Sequence, residues 1–229
     1  MPPTNPLSAV GPHHSQLEQK PIIHTALASP LSFDSDLTLK NRIVMSALTR
    51  NRSPVPTSFQ SEYYTQRSSV GLIVTEGILV EPQGTEWIDA PGLFTKEQVE
   101  GWRGVVESVR GAGGVVFAQL WHLGRLTHPY LQANLPAMGP SAIAAKGGNF
   151  RLLGGVGYVT PQAIENPLHY VEVYRRAAVN AKAAGFDGVE LHAGESETLQ
   201  RLFRCSERIG GLVRKKAKED PHLARITRI

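Results

Sequence analysis

The chain has 229 residues, with 24 Lys+Arg against 20 Asp+Glu, a net charge of +4 and a single cysteine. That length sustains one sizeable core and argues against a second full domain, and no apolar run approaches the roughly 18 residues of a membrane span. Cys205 alone excludes an internal disulfide and fits a reducing compartment, so a cytoplasmic location is expected.

Residues 1–30 read as a disordered lead, because the first twenty are rich in Pro, His and Ser and lack the apolar core of a secretory signal. Residues 31–40 set Phe33, Leu37 and Leu39 among Ser and Asp, the pattern of a short hairpin. Residues 42–47 predict the first buried strand, and Pro54 and Pro56 break the loop that follows it. A helix is predicted over 58–68, with Phe59, Tyr63 and Tyr64 as its apolar contacts. Residues 71–75 predict a second strand.

The next helix carries the clearest signals. Thr95 with Gln98 three residues on forms a capping box. Val99, Trp102, Val105, Val106 and Val109 then share a face, and Gly111 and Gly113 stop the helix. A third strand is predicted over 115–120. Residues 121–158 hold seven glycines and no firm period. A loop that long inside a compact domain is usually functional or partly disordered, and its place after the third strand sets it over the catalytic face. Thr160-Pro161 reads as an N-cap with proline at the first helical position. Beyond Pro167, Tyr170, Val173, Tyr174, Ala177, Ala181 and Ala184 recur at helical spacing until Gly185. Residues 188–192 predict a fourth strand.

After His192 the pattern stops and the charge changes. Residues 1–200 hold 15 Lys+Arg and 17 Asp+Glu, whereas 201–229 hold 9 and 3. This basic end reads as a solvated tail. Arg214-Lys215-Lys216-Ala217-Lys218 is too short and too poor in aromatic residues to argue for a nucleic-acid partner.

Four short apolar runs alternating with helices imply parallel strands covered by helices. The fold class expected is therefore α/β, a truncated (β/α)8 TIM barrel of about four βα units with an irregular basic tail. Its parts are a lead over 1–30, a half barrel over 31–192 and a divergent tail over 193–229. Thr49, Glu76, Gln119 and His192 fall where the strand runs end, and strand ends build the active site of such a barrel. His13-His14 and His122 with His128 lack metal-ligand spacing, so no metal is assigned.

Together the runs Lys40-Asn41-Arg42-Ile43-Val44-Met45-Ser46-Ala47-Leu48-Thr49-Arg50, Tyr63-Tyr64-Thr65-Gln66-Arg67, Thr75-Glu76-Gly77, Ala90-Pro91-Gly92, Gln119-Leu120-Trp121-His122-Leu123-Gly124-Arg125 and Gly185-Phe186-Asp187-Gly188-Val189-Glu190-Leu191-His192 resemble the Old Yellow Enzyme family in its order of motifs. The resemblance covers residues 31–192. It implies an FMN-containing barrel that uses NAD(P)H to reduce activated C=C bonds, typically in α,β-unsaturated carbonyl (enone) substrates.

Carried over residue by residue, the resemblance makes Ala47, Leu48 and Thr49 the segment lining the flavin ring. Gly77 becomes a position where a missing side chain admits the ring, and Gln119 the amide for its pyrimidine edge, which needs a donor and an acceptor together. Trp121 would wall the substrate cavity. His192 would grip the substrate carbonyl oxygen, where a donor stabilises developing charge. Asn41, Arg50 and Arg67 are read instead as partners of strand and helix ends.

The sequence departs from the family pattern after His192. Glu195 stands where a second carbonyl-gripping donor is expected, and Glu197 where the family has its tyrosine proton donor. An ionised glutamate supplies no proton, so no catalytic residue is assigned. The later strands, which hold the phosphate in such barrels, are not identifiable. The expectation is a shortened form with weakened FMN binding and little or no turnover. Open sheet edges would favour self-association, or pairing with a partner chain in a non-catalytic role.

Overall fold

The computed structural model describes residues 25–34, 37–148, 154–155, 157–193 and 226–227. Glu195, Glu197, Cys205, most of the N-terminal lead and most of the basic tail lie outside the described residues.

The described chain opens on a helical turn, α1 (Thr25–Ala28), and a hairpin of β1 (Leu31–Asp34) and β2 (Leu37–Leu39), antiparallel with Leu31 opposite Leu39. Then come β3 (Val44–Met45), α2 (Ser58–Thr65), β4 (Leu72–Leu79), α3 (Lys96–Gly111), β5 (Val116–Trp121), β6 (Met138–Gly139), β7 (Gln162–Ala163), α4 (Pro167–Ala184), β8 (Gly188–Leu191) and β9 (Ile226–Thr227). A parallel sheet runs in the order β3-β4-β5-β8-β9, so each strand lies beside the next in the βα alternation. This is a partial α/β sheet of the expected class.

The helices cover one face. Ile73, Ile78, Val116, Ala118 and Leu120 of the strands pack against Tyr64 of α2, Trp102, Val105, Val106 and Val109 of α3, and Tyr170, Val173 and Ala177 of α4. The opposite face begins under the hairpin, where Leu39 joins Leu72, Val74 and Phe117. Strand alternation explains the split, since successive side chains point to opposite faces.

The alternation changes phase once. Val74 pairs with Phe117, but the next paired residue of β4 is Gly77, opposite Gln119. Thr75 and Glu76 therefore face a single residue of β5, which is a β-bulge. Before the bulge the even positions 72 and 74 point to the hairpin side; after it Ile78 points to the helices. The bulge thus brings Gly77 rather than Glu76 opposite Gln119.

Several expectations are corrected. β3 is two residues long rather than six, and β4 runs on to Leu79 instead of stopping at Thr75, which leaves Glu76 in mid-strand. Phe59 is 75% exposed rather than a core contact of α2; Gln60 and Tyr64 take that face. Thr160-Pro161 does not start a helix. The N-cap is Asn166, whose side chain accepts from the Leu168 amide, with Pro167 first in the helix. Residues 162–163 instead pair with β6, so the long segment after β5 closes on its own two-stranded ladder. Finally, the tail lays β9 beside β8, so that edge of the sheet is not bare.

Candidate active site

On the face away from the helices, three neighbouring strands present Gly77, Gln119 and Glu190 in one row. Gln119 is nearly buried, and its Nε2 donates to Glu190 Oε1 at 2.6 Å. That bond fixes which way the amide points. The Gln119 backbone N–H is taken by Thr75 Oγ1 at 3.1 Å, a contact the bulge makes available. Glu190, read from the sequence only as part of a strand motif, is thus a partner of the amide at the centre of the site.

Gly77 owes its lack of a side chain to Trp121. A Cβ built there would lie 2.5 Å from the indole Cδ2, far inside van der Waals contact. The indole packs over that gap and is nearly buried, with Nε1 buried and unbonded among the described residues. The His192 ring stands edge-on to Trp121 at 6.3 Å between centroids, and its backbone N–H donates to Leu120 O. Gly77, Gln119, Trp121 and His192 are therefore brought together on one face.

Ala47, Leu48 and Thr49 lie at the other side of this face, past the carboxyl end of β3. Ala47 packs under the hairpin cluster, while Leu48 and Thr49 are exposed. Three strand spacings separate β3 from β8, about 14 Å at ~4.8 Å each. His192 and Thr49 therefore stand at opposite sides of the strand row. The residues fit the edge of a planar, hydrogen-bonding ring such as isoalloxazine. Gln119 is an oriented amide, the Trp121 Nε1 has no partner among the described residues, and Leu48 and Thr49 are exposed.

Glu76 is fully buried (0% exposed). Its Oε2 accepts from the backbone amides of Arg50 at 2.8 Å and Asn51 at 3.2 Å, and its own amide donates to the Tyr64 hydroxyl. Burial raises its pKa above the usual carboxylate range, opposed by those two amides and the Arg50 charge. The expectation that it sits at a strand end in the active site is corrected: the bulge turns it away from Gln119.

Asn41, Arg50 and Arg67 behave as end partners. Asn41 Nδ2 donates to Ser69 O, Arg67 donates to Tyr63 O, and both guanidinium groups lie over the Tyr63 ring, at 4.5 Å for Arg50 and 3.9 Å for Arg67. His122 is buried on the helix side. Its Nδ1 accepts from the Gly124 amide, and its Nε2 lies 3.2 Å from Glu81 Oε1 at an angle short of a hydrogen bond. Burial, then the Glu81 charge, raises the pKa of Tyr170 and Tyr174 beside them. No cluster of three metal-ligating side chains occurs among the described residues.

The family model described as NADH:flavin oxidoreductase / NADH oxidase matches residues 26–204. 12-oxophytodienoate reductase 7 of Oryza sativa subsp. japonica is 38% identical over 176 residues, covering 72% of this chain and 44% of that protein. The Old Yellow Enzyme homologue from Zymomonas mobilis aligns with a TM-score of 0.69 and 39% identity, over 73% of this chain and 48% of that one. Morphinone reductase in complex with tetrahydroNAD gives a TM-score of 0.68 and 35% identity, over 86% and 59%. The chain spans about half the length of the curated relatives it matches. Its sheet corresponds to part of a TIM barrel.

Proposed function

Because this chain belongs to the NADH:flavin oxidoreductase / NADH oxidase family, we propose that it is the ring-side part of an Old Yellow Enzyme-type ene-reductase. In this reading it holds FMN and works with NAD(P)H on α,β-unsaturated carbonyl compounds. The observation that carries the reading is the row Gly77, Gln119, Glu190, with Trp121 packed on Gly77 and His192 beside it.

When bound, FMN would supply the hydride-transfer chemistry that links the nicotinamide to the activated alkene. The chain's own residues orient and polarise. Glu190 holds Gln119 Nε2, so the amide would be fixed in orientation for the pyrimidine edge of the ring. Leu48 and Thr49 would line the ring from the β3 side. Trp121 walls the substrate space and excludes water from it. His192 donates to the substrate carbonyl oxygen, where charge develops as the β-carbon is reduced.

The described strands supply ring contacts, while barrels of this type hold the phosphate on loops after their last two strands. Each charge-assisted hydrogen bond to phosphate is worth about 1.5–3 kcal/mol, so ring contacts alone hold FMN weaker by several orders of magnitude than ring and phosphate contacts together. We therefore expect weak, saturable FMN binding by this chain alone, measured as quenching of flavin fluorescence. Anaerobic NADPH oxidation with cyclohexenone should be slow, since positioning accounts for about 7–11 kcal/mol of a barrier. Absence of any FMN binding overturns the reading, and fast turnover overturns the expectation of weak binding.

A second reading is favoured by the β3 edge, where Ile43, Val44 and Leu48 are 50%, 49% and 53% exposed. That apolar edge suits pairing with another copy of this chain, in a non-catalytic or site-completing role.

A further inference from the structure

We propose that Glu76 is a positioning residue that sets the conformation of the Thr49-Arg50-Asn51 turn and through it the flavin-side cradle; the cradle part rests on the flavin reading above.

The argument starts at the bulge. In an unbroken ladder Glu76 would pair with Gln119 and point into the site, because each single-residue slip moves a side chain to the other face. The observed register gives that place to Gly77. Glu76 instead enters the packed layer around Tyr64, fully buried, and its Oε2 receives two consecutive backbone amides, those of Arg50 and Asn51. A carboxyl oxygen with two adjacent amide donors accepts two hydrogen bonds at once, and it does so with or without the acidic proton on the other oxygen. Two bonds to successive residues fix a turn, where a single bond would leave a pivot.

The anchored segment bends at Asn51, whose φ of 50° lies in the left-handed region that asparagine adopts more readily than most side chains. Its Oδ1 in turn accepts from the Asp89 amide at 2.8 Å, tying a second loop to the same point. The Arg50 guanidinium is drawn over Tyr63. Thr49 directly precedes the first anchored amide, and no regular element holds it, since β3 ends at Met45. The course of residues 46–49 is therefore set at one end by β3 and at the other by the carboxylate of Glu76.

An acceptor oxygen is what the role requires, and the test uses that. Glu76→Gln keeps an oxygen able to accept both amides, while Glu76→Met fills the same volume without one. Amide hydrogen exchange is read on the full chain by NMR or mass spectrometry, alongside FMN titration. In Glu76→Met, exchange at Arg50 and Asn51 should rise about tenfold or more, and FMN should bind about tenfold more weakly. Glu76→Gln should restore both to near the wild-type values. Unchanged exchange at Arg50 and Asn51 in Glu76→Met overturns the anchor. Faster exchange with unchanged FMN affinity overturns the cradle role. A general loss of affinity that Glu76→Gln fails to rescue, with exchange at the two amides preserved, also overturns it. Wild-type chain that binds no FMN defeats the functional reading, and the exchange contrast then decides the anchor separately.

Discussion

At position 77 the sequence showed a residue without a side chain, but not what fills the space. The partner is the Trp121 ring, two strand positions beyond Gln119 and on the same face. Gly77→Ala should therefore destabilise by about 1–3 kcal/mol through overpacking. A urea titration would show it as a lower midpoint with unchanged slope. Glu76 makes a second residue-scale prediction. Its pKa is raised in the folded state, so between the ordinary value and the raised one the native chain holds a proton that the unfolded chain has released. Stability is then lost as pH rises from the ordinary glutamate value of 4.5 through the raised one. Glu76→Gln has no such proton, so wild type should lose stability relative to it as pH rises through that window. Denaturant titrations of both between pH 4 and 8 measure the difference, and a difference independent of pH contradicts the assignment. Glu190 and the bulge were not legible for one reason: alternation identifies a strand, while register is a property of two strands together.

Elements were most legible where a cap and an apolar period agreed. Thr95 and Gln98 form the reciprocal capping box of α3, and four of its five predicted face residues are buried. The same signal stands at Thr57 and Gln60, where it caps α2 and explains why Gln60 is buried while Phe59 is not. α4 was misplaced at its start because two threonine- or asparagine-proline pairs, at 160–161 and 166–167, satisfy the same local rule. Tertiary pairing chose between them, since residues 162–163 join β6. The two sites respond differently to substitution. Asn166→Ala removes the acceptor of the Leu168 amide and should cost about 1 kcal/mol, whereas Thr160→Ala should cost little. Equal effects in thermal melts would contradict the observed helix start.

At the scale of the whole molecule, the order of strands was readable from βα alternation because sequential parallel strands are usually neighbours. How the sheet treats its edges was not. The expectation of two bare edges is corrected on one side, where β9 lies beside β8; on the other, β3 is the last strand of the sheet among the described residues, with Ile43 and Val44 half exposed. β3 is short, and a short edge strand is one way proteins limit pairing. Yet no lysine sits in it, and Leu48 extends the apolar strip past its end. An edge strand flanked by apolar side chains is a template for another strand. Self-association through this edge should therefore depend on concentration and be weakened by a charge placed on it. Val44→Lys puts an ammonium at a half-exposed position without disturbing the buried cluster of Leu72 and Val74. Sedimentation of wild type across a hundredfold concentration range should show a shift that Val44→Lys reduces. A wild-type chain that remains monomeric throughout, or a variant that associates equally well, would remove the β3 edge as an interface.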